Sequence, residues 1–179
     1  AASDVYKRQR VHKPSYIREL LTPTKNVNFV VADYLTNLFF IFIQVSVLLG
    51  FGFLVFRLGP EVLLPAFVGI FLASSIMIFI GITIGYMAKS ESVSVMLAVF
   101  SLMFFFICSD LLVPSVLSAE FVRLAVNLNP FVMLNNFLFN TILLKQSLSN
   151  NIYLIGRMII LFFSLFLIAL TAKRASKDG

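Results

Sequence analysis

The sequence has 179 residues, of which 60% are hydrophobic and 12% charged, and it carries a formal net charge of +6. A soluble domain is typically about half apolar and about a quarter charged. This composition therefore excludes an ordinary soluble domain and a disordered chain, and a single cysteine excludes an internal disulfide scaffold. It indicates a protein embedded in a lipid bilayer.

The first residues need separate treatment. The run Asp4-Val5-Tyr6-Lys7-Arg8-Gln9 resembles the translation of an adapter used in sequencing libraries. We therefore expect residues 1–9 to be a non-native scar. We also expect the sequence, which begins without Met, to be truncated at its N-terminus. The alternative is a genuine basic tail.

Four apolar segments follow in the chain. Each has at least 20 residues, and about 20 residues of helix cross a hydrocarbon core about 30 Å thick. Backbone groups inside lipid must be satisfied within the segment, which favours helices. The sequence predicts an all-α, polytopic membrane protein with transmembrane helices at 34–56, 62–87, 93–112 and 152–171.

Basic residues predict the orientation of these helices. Lys and Arg concentrate before the first predicted span and after the last, in the tail 172–179, with Lys89 in the loop between the second and third spans. The positive-inside rule places both ends in the cytoplasm of a cell that carries the protein in its plasma membrane. The basic charge thus indicates topology, and we expect no nucleic-acid partner.

The outer stretch 113–144 between the third and fourth spans is not uniformly polar. Leu117, Phe121, Leu124 and Leu128 recur on one helical face, and Asn129-Pro130 interrupts the pattern. The apolar run that follows is too short to cross a bilayer comfortably. We predict a helical hairpin that re-enters the membrane from outside; two interfacial helices lying flat are the alternative.

Residues 10–33 are predicted to be a cytoplasmic helix with its lead-in to the first span. Ser15 is a suitable N-cap, and Pro23 ends the helix about two turns later.

This succession of elements resembles the membrane subunit of type-2 ATP-binding-cassette (ABC) transporters, over roughly residues 14–177. The features are the Arg-Glu-Leu-Leu helix closed by a Pro, the long spans, the outer Leu128-Asn129-Pro130 hairpin and the basic tail. The resemblance implies a permease of six spans, of which the four here are the last four. The present sequence differs from those permeases in having Pro14-Ser15 where a Gly-Thr pair is usual.

The resemblance also implies partners. The cytoplasmic helix would be the coupling helix that docks on an ATP-binding ABC subunit, and a second permease copy, identical or different, would complete the transporter. The chain has no Gly-x-x-x-x-Gly-Lys-[Ser/Thr] loop, so nucleotide would be bound by the separate subunit. The residues implied in coupling are Tyr16, Ile17, Arg18, Glu19, Leu20 and Leu21.

Several polar residues within the apolar segments are candidates for a substrate pathway or gate. Asn37 and Gln44 lie seven residues apart on one helical face, where they either line the pathway or form interhelical hydrogen bonds. Asp110 is an ionisable residue near the end of a predicted span. Asn135 and Asn136 lie in the predicted hairpin. Gly81 and Gly85 would permit close packing, within one subunit or against a second copy.

An enzyme is not expected. The carboxylates are scattered along the chain, and the one His has no nearby Cys or carboxylate at metal-ligand spacing. We therefore predict no catalytic residues, metal or cofactor. The alternatives to an exporter permease are an ion-coupled secondary transporter or channel, and a membrane-embedded lipid-linked transferase.

Overall fold

The computed structural model of the chain describes residues 25–57, 59–88, 90–109, 120 and 126–178, and these residues form helices with short connections. No strand occurs among them, so the all-α prediction is confirmed for this part of the chain. In chain order the five α-helices are α1 (Asn26–Phe56), α2 (Pro60–Met87), α3 (Glu91–Ile107), α4 (Pro130–Leu138) and α5 (Ile152–Asp178). A π-helical segment, Phe139–Leu143, continues α4, and a 3-10 turn, Leu148–Asn151, precedes α5.

Three of the helices are long and apolar enough to cross a membrane. The qualifying stretches are Asn26–Gly52, Glu61–Met87 and Leu148–Ser176. α3 is a shorter apolar helix of 17 residues. It ends at Ile107, whereas the sequence predicts a span to residue 112, and residues 110–112 lie outside the described residues. The fourth crossing therefore stays a prediction.

The helix ends follow from local sequence. α1 begins eight residues before the predicted span, because no Pro or Gly interrupts residues 26–33. It ends at Arg57, which has a left-handed backbone with φ of 51°. Pro60 then occupies the first turn of α2, where its missing N–H is not needed. α5 continues to Asp178, so most of the predicted tail is helical.

α2 lies at the centre of the described bundle and packs against α1, α4 and α5. Ala73 and Ile76 of α2 form one buried cluster with Met133 of α4 and Met158 of α5. Phe79 forms a second cluster with residues of α1 and α5, Val30 and Ala169. Contacts advance from one cluster to the next in the same direction along α2 and α5, so these two helices run parallel.

The two ends of the bundle can be distinguished from these contacts. The ammonium of Lys173, near the end of α5, lies 5.0 Å from the ring centroid of Phe29 on α1 and 4.5 Å from that of Tyr86 on α2. The start of α1, the end of α2 and the end of α5 are therefore neighbours at one end, hereafter the Lys173 end. The sequence predicts that this end faces the cytoplasm.

Large apolar side chains cover much of the outer surface. α3 has no buried residue, and Leu54 on α1 and Phe100 on α3 are 77% and 62% exposed. Soluble monomers rarely expose contiguous apolar patches of more than a few hundred Å². This apolar surface and the length of three apolar helices together indicate a membrane protein.

Candidate functional site

An open groove runs between α1 and α2 in the half of the bundle nearest the Lys173 end. It encloses about 740 Å³, within the range of pockets that hold drug-sized ligands. α1 lines one wall at the spacing of a single helical face, and α2 lines the other. The lining residues are Asp33, Thr36, Asn37, Phe40, Ile41, Gln44, Ile78, Gly81, Ile82, Gly85 and Tyr86.

The α1 wall carries the polar groups of the groove. The Thr36 hydroxyl donates to the Ala32 carbonyl at 2.9 Å, and the Asn37 amide donates to the Asp33 carbonyl at 2.8 Å. Both bonds stay within α1, so neither side chain ties α1 to another helix. Gln44 is exposed and makes no hydrogen bond with any other described residue. Asn37 and Gln44 thus present amide groups to the groove.

The α2 wall of the groove contains two glycines, Gly81 and Gly85, which have no side chain to narrow the groove. A Cβ atom added to Gly81 or Gly85 would meet nothing within 4 Å in the described part of the chain. Neither glycine is therefore explained by close packing within that part. Gly69, in the other half of α2, is different, because a Cβ there would fall below 3.0 Å from two ring atoms of Phe137. Only Gly69 of these three is required by a neighbouring side chain.

A cluster of polar and aromatic groups closes the groove at the Lys173 end. The Tyr86 hydroxyl donates a short hydrogen bond to the Asp33 carboxylate, which joins α2 to α1. The Lys173 ammonium lies over the Tyr86 ring, and the residue as a whole is 6% exposed. A cation over an aromatic face is attracted by the negative charge of that face. The cluster therefore holds α1, α2 and α5 together and fixes Tyr86 beside Asp33.

Next to this cluster, Tyr34 fastens α1 to the centre of α2. Its ring stacks on Phe79 with centroids 4.7 Å apart. Its hydroxyl donates to the Ser75 hydroxyl at 3.0 Å, and Ser75 in turn donates to the Phe71 carbonyl at 2.8 Å. The buried Ser75 hydroxyl is thereby satisfied, and α1 is held against α2 on the side away from the groove residues.

At the opposite end of the bundle, asparagines anchor α4. The buried Asn129 amide donates to the carbonyls of Phe105 and Cys108, at 2.6 and 3.0 Å, while its oxygen accepts from the Phe131 N–H at 3.0 Å. Asn129 therefore caps α4 and ties it to the end of α3. Asn140 in the π-helical segment donates to Asn151 at 2.9 Å, which ties the other end of the segment to the 3-10 turn before α5.

The buried face of this segment contacts α2. Val132, Met133 and Phe137 are buried, whereas Asn135 and Asn136 are exposed on the other face. Neither Asn135 nor Asn136 lines the groove. Nearby on α5, Arg157 donates to the Asn127 carbonyl at 2.5 Å and lies 5.6 Å from the centroid of the Tyr153 ring.

The predicted pathway residues thus fall into separate places. The groove brings together Asn37 and Gln44, whereas Asn135 and Asn136 lie on α4. Asp110 and the predicted coupling residues 16–21 lie outside the described residues. Sequence reasoning missed the Asp33–Tyr86–Lys173 cluster. Asp33 lies one turn before Asn37 on the same face, so extending the first span backwards would have found it.

Comparison with known proteins assigns no family to this chain. No protein-family model, curated protein or solved structure matches this chain. Among the described residues, no three His, Cys, Asp or Glu side chains lie together as a metal site. The resemblance to ABC permeases therefore depends on the sequence features alone.

Proposed function

We propose that the chain is a membrane-embedded transport subunit of the type-2 ABC permease kind, which exports its substrate with energy from a separate ATPase. The observation that carries the proposal is the α1–α2 groove, where Asn37 and Gln44 present polar groups within membrane-length helices. Polar groups inside such helices are costly unless they face protein or a wet cavity, and they commonly mark a substrate path.

Two further features support the proposal. The segment Pro130–Leu143 is too short to cross a bilayer, yet its buried face packs on α2, as a re-entrant element requires. The start of α1 and the end of α5 lie at the same end of the bundle, which suits an even number of crossings between them. We infer that α3, extended beyond Ile107, provides the fourth crossing.

The ATPase partner is inferred from the sequence resemblance. Residues 16–21 would form the coupling helix, and the short connection between α2 and α3 would contact the same partner. Such an arrangement lets nucleotide binding in one subunit bias the conformation of another. The permease would work as a pair, with the second copy opposite the first. A secondary transporter or channel is the competing function.

The test is ATP hydrolysis by the protein purified with its natural partners. The tagged full-length protein is isolated in mild detergent from the cells that produce it, and vanadate-sensitive ATP hydrolysis is measured. Residues 1–179 contain no phosphate-binding loop, so we expect hydrolysis to come from a bound partner, which mass spectrometry of the same preparation should identify. Leu20→Asp should remove at least nine-tenths of that activity by removing an apolar contact at the coupling helix.

Asn150→Asp is the matched control for this variant. It likewise introduces a carboxylate, at an exposed position in the 3-10 turn, away from the Lys173 end of the bundle. It should retain the activity of the parent protein. A preparation without hydrolysis, or equal loss in both variants, would refute the coupling assignment. Substrate movement driven by an ion gradient alone would establish the secondary transporter instead.

A further inference from the structure

Asp33 gives the α1–α2 groove an electrostatic character that the sequence analysis did not assign. Of the residues that line the groove, Asp33 alone carries a formal charge at neutral pH. It lies within the membrane-length stretch Asn26–Gly52. In the described part of the chain, the Tyr86 hydroxyl is the one hydrogen-bond partner of its carboxylate. An acidic residue in a membrane-length helix is a candidate functional residue.

Lys173 does not occupy the groove. Its ammonium lies over the rings of Phe29 and Tyr86, the residue is buried, and Lys173 is not among the groove-lining residues. Tyr86 therefore has Lys173 over its ring and Asp33 at its hydroxyl. This arrangement orients the carboxylate through Tyr86, and both residues line the groove.

The remainder of the groove suits an apolar body. Phe40, Ile41, Ile78 and Ile82 supply apolar walls, and the two glycines leave room between them. Phe40 is 60% exposed, so its ring is available to pack against the apolar part of a ligand. From Asp33 to Gln44 the groove extends about 16 Å, at a rise of about 1.5 Å per residue. Its length and volume match a drug-sized molecule.

We propose that the α1–α2 groove binds a drug-sized lipophilic organic cation. The positive charge lies beside Asp33, and the apolar part lies between Phe40 and the two glycines, Gly81 and Gly85. Charge complementarity selects the cation, because Asp33 is the one formally charged residue among those that line the groove. This inference deepens the proposed transport function by naming a substrate class, and it rests on that function only for the statement that the bound cation is exported.

The test compares two ions of the same shape and opposite charge, tetraphenylphosphonium and tetraphenylborate. Binding of each to the full chain in phosphatidylcholine nanodiscs is measured by equilibrium dialysis, and partition into protein-free nanodiscs is subtracted. We expect saturable binding of the phosphonium and no saturable binding of the borate. Equal binding of both ions would overturn the proposal, because charge would then not select the ligand.

Three variants locate the site. Asp33→Asn should weaken phosphonium binding at least tenfold. Gly85→Leu should do the same by filling the groove, and it does not touch the Asp33–Tyr86 bond, so it tests the site even if Asp33→Asn misfolds. Glu91→Gln removes a carboxylate at the same end of the bundle but outside the groove, and should change affinity less than twofold. A uniform response of all three variants would refute the assignment.

Other occupants give different results. If phosphatidylethanolamine added to the nanodiscs abolishes phosphonium binding, the groove holds a lipid headgroup. If Gly85→Leu lowers the oligomeric mass measured by light scattering, the groove holds a second copy of the chain. Either result overturns the proposal. Because no ATPase takes part, failure here alongside intact ATP coupling rejects the substrate class alone.

Discussion

Replacing Gly69 with Ala tests how the segment Pro130–Leu143 is held in the bundle. The added Cβ would fall below 3.0 Å from two ring atoms of Phe137, a side chain with 0% exposure. Because the ring is enclosed, it cannot swing into open space to relieve the clash. Either the ring adopts an unfavourable rotamer or α4 moves away from α2.

The expected magnitude comes from two opposing effects. Overpacking a well-packed core costs about 1–3 kcal/mol. Replacing Gly with Ala inside a helix contributes about 1 kcal/mol of stability. Gly81→Ala on the same helix gains the second effect without the first, since its Cβ meets nothing within 4 Å among the described residues. Gly69→Ala should therefore be about 1–3 kcal/mol less stable than Gly81→Ala.

Heating in detergent followed by size-exclusion chromatography of a fluorescent-tagged protein measures the difference. The chain contains no Trp, so intrinsic Trp fluorescence cannot be used. At roughly 2–4 °C per kcal/mol for a chain of this size, Gly69→Ala should melt about 2–12 °C below Gly81→Ala. Phe137→Leu should cost less in the Gly69→Ala background than in the parent protein, because the two side chains share one space.

Equal melting temperatures for Gly69→Ala and Gly81→Ala would refute this reasoning. The packing of Phe137 on Gly69 would then be absent from the protein in its membrane environment, and α4 would not be held on α2. The re-entrant interpretation would lose its main structural support, and the flat interfacial helices would be favoured.

Three further predictions address the rest of the bundle. Asn129→Asp keeps a side-chain oxygen that can cap α4 but removes the amide that donates to the end of α3. The variant should therefore melt several degrees below the parent protein. An equal melting temperature would show that only the cap contributes to stability. Lys173→Glu sets a negative charge against two aromatic faces and should melt several degrees lower, while Lys173→Arg should not; equal melting of the two would refute the cation–π role. In a Cys108→Ser background, an impermeant maleimide applied to intact cells should label Asn150→Cys but not Ala175→Cys; the reverse pattern would invert the predicted orientation.

The sequence predicts the membrane-length helices well because their signal is local. A run of about 20 apolar residues has few ways to satisfy its backbone in lipid, and three such helices occur where apolar segments were found. Hydropathy indicates which part of a helix is apolar and not where the helix begins or ends. The first apolar span is predicted from residue 34 with a lead-in before it, and the helix itself begins at Asn26, because a polar residue such as Asp33 does not interrupt helical hydrogen bonding.

The candidate site is predictable only in part, for a physical reason. Asn37 and Gln44 share a face because helical geometry fixes that relation, and the structure places both in the groove. The contact of Tyr86 with Asp33 joins residues 53 positions apart in the chain. No periodicity encodes such a pair, since it depends on how two helices cross and rotate. Lys173 is predicted to belong to the basic tail, because its position in the sequence does not show which helices pack against it. In the structure it is buried.

The glycines of α2 show that identical residues on one helix can have different surroundings. Gly69, Gly81 and Gly85 are the same residue type on one helix, and the small-residue pattern alone predicts close packing for all of them. In the structure, Gly69 is filled by Phe137, whereas Gly81 and Gly85 face open volume. The same residue type on α2 is thus enclosed at one position and borders open space at two others. Within the described chain, no close packing accounts for Gly81 and Gly85, and the proposed binding of an organic cation would use the space that they leave.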